Sequence, residues 1–276
     1  MIKSIKPIRY AIITMGLFLI ACEKVIDVDL DTAESRLVVD ASIDWIKNTS
    51  GNRQKIKLST TTGYYSSDFP NVSGASIVIT NSANITFNFV EDPGTGEYIC
   101  NDFLPVIGES YTLTISLNGE TYTATETLTG APEIEDHIAQ NNNGGISGDE
   151  VEITYYYQDN VNEANYYVFS NKNPHIAFPQ YKVKDDENNN GGLNPIYYSD
   201  KDLVAGDVIN IKLIAVSKRY YDYFRKILNA SGSESGPFST TPTAVNGNII
   251  NQTNSSNAPL GYFRLSEVDT KDYTIQ

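Results

Sequence analysis

Two cysteines, two histidines, two methionines and one tryptophan in 276 residues leave this chain poor in the side chains that most site chemistry uses. Cys22 and Cys100 alone cannot make the disulfide framework of a small secreted scaffold. Cys100 closes the run Glu97-Tyr98-Ile99-Cys100 and reads as a small apolar side chain in a strand, not a reactive thiol. With His137 and His175 as the only imidazoles, a serine nucleophile has few possible bases. Gly232-Ser233-Glu234-Ser235-Gly236 also puts glutamate where a nucleophile elbow needs serine. No phosphate-cradling glycine loop is present, since Gly94-Thr95-Gly96 after Pro93 reads as a turn. Basic charge is scarce too: 20 Lys and Arg against 34 Asp and Glu give −14, which argues against nucleic acid as a partner. The one long apolar run, from Tyr10 to Ala21, is too short to span a bilayer comfortably, so no transmembrane helix is expected.

What is present starts with that run. Lys3, Lys6 and Arg9 precede it without an acid, the pattern of a secretory leader. It ends in Leu19-Ile20-Ala21-Cys22, which resembles the lipobox of bacterial lipoproteins, whose cysteine takes a diacylglyceryl thioether before cleavage on its amino side. The expectation is a lipoprotein signal peptide over residues 1–21, lipid on Cys22 and an acidic tether over 22–35. Losing Lys3, Lys6 and Arg9 would take the mature chain from −14 to −17. Several acyl chains, at about 0.8 kcal/mol per buried methylene, anchor stably where one does not. Asp27, Asp29, Asp31 and Glu34 follow closely, similar to the surface-export signals of Bacteroidota lipoproteins, although Ile26, Val28 and Leu30 alternate with them as in an edge strand. Asp31-Thr32-Ala33 matches a short pattern glycosylated in those bacteria, making Thr32 a candidate O-glycosylation site beside the plain tether reading.

From Arg36 onward the chain reads as strands. Arg36 to Ile43, Gln54 to Leu58, Ser76 to Thr80 and Asn84 to Phe89 are β-branched or alternate with period two. Asn118-Gly119 between Leu113-Ile115-Leu117 and Tyr122-Ala124 predicts a hairpin with a two-residue type I′ turn. Short strands with turn signals between them indicate an antiparallel β-sandwich, immunoglobulin-like or transthyretin-like, over 36–130. Gly130-Ala131-Pro132 and the Asn/Gly-rich stretch Gln140 to Gly148 place a boundary there, and a second β-rich domain is expected over 131–276. In it, Val151 to Tyr157, Asn165 to Phe169 and Asp207 to Val216 read as strands. Lys184 to Gly192 reads as an exposed loop, and short strands are expected at Asn248 to Ile250 and Gly261 to Arg264. Ser217 caps the one convincing helix, 218–228, whose Tyr220, Tyr221, Phe224, Ile227 and Leu228 share a face that should pack on a sheet.

Candidate chemistry is thin. Glu133, Glu135, Asp136 and His137 lack the helix that fixes metal-ligand spacing and read as a solvated linker. Asp185, Asp186 and Glu187 lack the EF-hand spacing and read as an acidic loop. The aromatics are denser. Tyr64-Tyr65, Tyr155 to Tyr157, Tyr166-Tyr167, Tyr197-Tyr198 and Tyr220-Tyr221 are adjacent tyrosines, and neighbours in a strand point to opposite faces. Either some rings face outward and form an interface, with Tyr155, Tyr157, Tyr166, Tyr197 and Tyr198 as the candidates, or the first domain and the helix cover both faces.

Ser217 to Tyr221 with Tyr223-Phe224, then Gly236-Pro237-Phe238, Asn248-Ile249 and Gly261-Tyr262-Phe263 resemble the C-terminal signature of a Bacteroidota lipoprotein family, domain of unknown function 4249. Cys22-Glu23-Lys24, Ile26 to Leu30, Arg36 to Val39, Phe103-Leu104-Pro105 and Gly108 to Tyr111 agree at the other end. The resemblance implies an envelope lipoprotein commonly encoded beside TonB-dependent receptors of the SusC-like type, hence an accessory or binding role in outer-membrane uptake. It carries no catalytic residue and no cofactor. The expectation is therefore a non-enzymatic outer-membrane protein, lipid-anchored and surface-exposed, partnered with such a receptor. The alternative is a structural or adhesive envelope lipoprotein without a transport role.

Overall fold

The computed structural model describes residues 34–63, 66, 68–187, 189–232 and 245–276. Cys22, Thr32 and the expected leader lie outside the described residues, as do Tyr64-Tyr65 and Pro237-Phe238.

Alternation builds the first strands. β1 (Leu37–Ile46) buries Leu37, Val39, Ala41 and Ile43 at every second position, because successive strand side chains point to opposite faces. β2 (Gln54–Thr60), β3 (Ser76–Asn81), β4 (Thr86–Asp92), β5 (Glu97–Cys100), β6 (Ser110–Leu117) and β7 (Glu120–Thr127) repeat the pattern. Asn118 and Gly119, at φ 51° and 80°, join β6 to β7 with Leu117 opposite Glu120. That is the positive-φ turn that Asn-Gly favours. Asn81 closes the β3–β4 connection by accepting the N–H groups of Ala83 and Ile85 at 3.1 and 2.8 Å.

The second half contributes β8 (Ala139–Gly144), β9 (Glu150–Gln158), β10 (Tyr166–Lys172), β11 (Gln180–Asp185), β12 (Leu193–Asp200) and β13 (Val208–Val216). Helix α1 (Lys218–Ala230), β14 (Ile250–Asn251) and β15 (Leu260–Thr274) complete it. Among the described residues the protein is mainly β, with one helix near the C-terminus, as the sequence pattern indicates. Twelve strands form a curled sheet ordered β11-β10-β13-β15-β1-β2-β5-β4-β3-β6-β7-β14, and β12-β9-β8 form a second sheet.

Three sequence expectations change. Part of the Asn-rich stretch after Gln140 is the edge strand β8, whose backbone pairs with β9 despite a composition that strands usually avoid. Every ladder among the described residues is antiparallel except β1 with β15, which is parallel from Val38↔Leu260 to Ile46↔Val268. And the short strand expected at Gly261 is fifteen residues long. Gly261 makes this pairing possible: at φ 100°, a Cβ there would sit 1.9 Å from the Val39 carbonyl oxygen.

Residues Ser35–Gln276 form one compact unit with two main cores. In the first, the β1, β2 and β5 side chains meet those of β3, β6 and β7 around Phe87, Phe103 and Tyr111, whose rings lie 4.8 to 6.4 Å apart. Burial of each such side chain contributes about 1.5–3 kcal/mol. In the second, β9 and β12 face β10 and β13. A division at residue 130 assigns β14 and β15 to the second half, yet Ile249, Phe263 and Leu265 lie in the first core. Strand β15 then continues: Glu267 accepts the Ala131 N–H at 2.8 Å, Asp269 accepts the Ile134 N–H at 2.7 Å, and Ile275 reaches the second core. One strand thus ties both cores to the segment that passes between them.

Candidate functional site

Helix α1 starts where β13 stops. The Ser217 hydroxyl accepts the Tyr220 N–H at 3.2 Å, satisfying one of the free donors of the first turn, and Lys218 pairs with Asp222 at 2.9 Å. The helix lies on the face of the twelve-stranded sheet opposite the two cores. There Tyr221 packs with Val168, Ile214, Val216 and Val268. Tyr220 and Phe224 stack at 5.6 Å, Tyr181 meets Phe224 edge-on at 5.4 Å, and Tyr166 lies 5.3 Å from Tyr221.

Beside the helix, that face holds a groove of about 410 Å³. Its walls are Tyr220 and Phe224 from α1 and Pro179 and Tyr181 from the β11 edge. Its floor is Ser42 and Asp44 (β1), Arg264 (β15), Lys212 and Ile214 (β13), and Val168, Ser170 and Lys172 (β10). Arg264 pairs in register with Ser42 and Lys212 with Thr270, so their Cα atoms stand about 20 Å apart along the sheet at about 3.3 Å per residue. The groove therefore runs along the strands, with apolar Val168 and Ile214 between charged ends.

Arg264 is its most unusual member. The residue is 5% exposed, and its Nη2 pairs with Asp44 at 2.8 Å. Its guanidinium lies 5.2 Å from the Tyr220 ring centre, while Nε and Nη1 are buried without a hydrogen-bond partner among the described residues. Burial opposes its charge, but Asp44, Tyr220 and Asp40 outweigh that and raise its pKa. Around it, burial raises the Tyr220 and Tyr181 phenols, and the guanidinium acts in the opposite sense on both. Further along, the Lys172 ammonium donates to the carbonyls of Asn173 and Ile176. Lys212, half-buried, makes no ion pair or ammonium hydrogen bond among the described residues. Chemically the groove offers fixed positive charge, hydroxyls and flat ring faces, which suits binding and orientation.

The family model described as Domain of unknown function (DUF4249) matches residues 23–272. The chain belongs to that family. No curated protein matches it. Among solved structures, a two fibronectin type-III domain segment from chicken tenascin is similar at 15% identity, with 58% of this chain and 83% of that chain covered and a TM-score of 0.23. A cytokine receptor complex is similar at 8% identity, with 67% and 86% covered and a TM-score of 0.27.

In this DUF4249 chain the tyrosine pairs split between the two sheet faces. Tyr155, Tyr157 and Tyr198, expected as interface candidates, are instead core residues, 0%, 1% and 1% exposed. Their neighbours explain it: Tyr157 lies 5.0 Å from Tyr167, the Tyr155 hydroxyl donates to Asn171 at 3.1 Å, and the Tyr198 hydroxyl accepts from Asn173 at 2.7 Å. Burial pushes the Tyr198 phenol up to about 12 and the Tyr155 phenol higher still. Tyr166 points the other way and is half-covered by the helix. Tyr197 is the open candidate, at 52%. Cys100 is buried, and desolvation, followed by its contact with Asp102, pushes its thiol up to about 11. Asp136 in the segment after Pro132 pairs with Lys271 at 2.6 Å. His175 meets Asp207 at 2.6 Å, far from His137 in sequence.

The groove residues escaped the sequence reading because they come from five strands and a helix. One signal was available: Arg264 interrupts the apolar run Tyr262-Phe263-Arg264-Leu265, and an arginine inside a buried strand needs a counter-charge.

Proposed function

We propose that this family member is a non-enzymatic lipoprotein of the bacterial outer membrane, anchored through lipid on Cys22 and exposed at the cell surface. There it serves a TonB-dependent, SusC-like receptor as an accessory or binding partner in nutrient uptake. The observation that carries the anchor is Leu19-Ile20-Ala21-Cys22 after a basic, acid-free leader, with acids close behind. Membership of the family supports the receptor partnership, because the resemblance that names the family also names that association. The concave groove between helix and sheet supports a binding role over a purely mechanical one, since ligand sites are concave, part apolar and furnished with a few placed polar groups.

The test has two parts. Radiolabelled palmitate should enter the wild-type chain and not the Cys22→Ala variant, and protease added to intact cells should remove the protein. Crosslinking followed by purification of a tagged chain should then recover a TonB-dependent receptor. A chain that takes no lipid refutes the anchor. A lipidated monomer with no crosslinked receptor, from a strain whose deletion impairs attachment and not growth on any nutrient, refutes the uptake role and supports the adhesive alternative.

A further inference from the structure

Three cations and one carboxylate line the groove beside α1, in a chain whose net charge is −14. The local sign is opposite to that of the whole molecule. Lys172 is satisfied by the Asn173 and Ile176 carbonyls, but the other two cations are not fully consumed internally. Asp44 answers one nitrogen of Arg264, leaving two buried guanidinium nitrogens without acceptors, and the Lys212 ammonium has no partner among the described residues. Buried donors left unpaired are costly and uncommon in native proteins, and charged ones more so. A protein that keeps such a group at the floor of a cavity is preorganised for something that supplies the acceptor.

We propose that the groove binds a small organic anion, whose oxyanion is held by Arg264 and whose planar or apolar body lies against Tyr220, Phe224 and Tyr181. Guanidinium donors in a fixed fork match the two oxygens of a carboxylate, or those of a phosphate or sulfate. In the unliganded protein Asp44 occupies part of that role. Its side chain is one-third exposed, so it can swing out as the ligand oxyanion moves in. Lys212 supplies a second positive charge further along the floor, and the ring faces supply the apolar contact. This inference deepens the binding reading above by naming a ligand class. It does not require a receptor.

The experiment is a titration of the full chain in detergent with benzoate, phenyl phosphate and phenyl sulfate, with neutral benzyl alcohol as control. It is read by the Nε–H resonance of Arg264 and by the shift in melting temperature. The expected result is saturable binding of at least one anion, with movement of that resonance and none with benzyl alcohol; the three anions separate carboxylate, phosphate and sulfate. Lys212→Gln, whose Cα stands about 20 Å from that of Arg264 along the sheet, should weaken binding only about twofold, the size of a screened charge without direct contact. Asp44→Asn should strengthen it, because the competing carboxylate loses its charge, whereas a merely structural Arg264–Asp44 pair would show no gain. Arg264→Gln should abolish it. Equal binding of benzyl alcohol, an unmoved Arg264 resonance at saturating anion, or unchanged affinity in Lys212→Gln together with Asp44→Asn would each overturn the proposal. Receptor co-purification with no anion binding would sink this inference alone, and anion binding without a receptor would sink only the receptor partnership.

Discussion

Asp269→Ala removes the acceptor that holds the segment between the two cores, and its cost can be worked from one contact. The Asp269 carboxylate accepts the Ile134 N–H at 2.7 Å, with Ile134 2% exposed and Asp269 9%. Truncation leaves a buried backbone donor without its protein acceptor, a loss of about 1–3 kcal/mol. Asp269→Asn keeps an oxygen in place and loses only the charge assistance, so about half of that is expected. With a urea slope of about 2.5 kcal/mol/M, a loss of about 2 kcal/mol moves the unfolding midpoint down by about 0.8 M. Urea unfolding followed by tyrosine fluorescence measures this, and hydrogen exchange at the Ile134 amide reports the local event. The ordering should be wild type, then Asn, then Ala in both readouts. A midpoint for Asp269→Ala within about 0.2 M of wild type, with Ile134 exchange unchanged, would show that β15 does not clamp this segment.

Three further outcomes follow from the same structure. Tyr155→Ala should cost about 3–5 kcal/mol by opening a cavity in the second core, while Tyr197→Ala on the opposite face should stay within about 0.5 kcal/mol; thermal or urea unfolding of the pair checks it. Gly261→Ala should weaken or abolish folding, because a Cβ 1.9 Å from the Val39 carbonyl oxygen forces β1 and β15 apart, and circular dichroism of the variant reads the result. Asp207 has its pKa lowered by the Val204 N–H first and by His175 second. Its contribution to stability is therefore complete above its ordinary value of 3.8 and is lost as the pH falls through the lower folded value. Stability of Asp207→Asn and wild type should differ at pH 7 and converge in acid, and a difference that persists at pH 2 contradicts this.

Much of the architecture is legible in the sequence. The period-two runs placed β1, β2, β3, β6, β7, β9, β10 and β13, and Asn118-Gly119 placed a hairpin to the residue, because backbone pairing at short range needs only local pattern and turn chemistry. Ser217 and the face Tyr220, Tyr221, Phe224 placed the helix, which runs two residues beyond the expected Leu228 to Ala230. Beyond Leu265, however, β15 was masked by its own charges. Ser266, Glu267, Asp269, Lys271 and Asp272 look like solvent-facing residues, and only the fold reveals that Glu267 and Asp269 are buried and bonded to backbone 135 or more residues away.

The tyrosines divide along the same line. That adjacent rings point to opposite faces followed from strand geometry alone. Which face is covered depended on partners distant in sequence: the facing strands β10 and β13 enclose Tyr155, Tyr157 and Tyr198, helix α1 covers part of Tyr166, and Tyr197 is left open. The groove belongs wholly to the second category. Apart from Arg264 in its apolar run, these residues are unremarkable in sequence, and Asp44, Arg264, Lys212 and Tyr220 line one cavity because β1 pairs in parallel with a strand more than 200 residues later. By itself the sequence determined the period-two strands, the hairpin, the helix and the net acidic charge, since these rest on local pattern and composition. Tertiary structure decided which charges are buried and which side chains share a site, since burial and proximity depend on elements that the chain brings together only when folded.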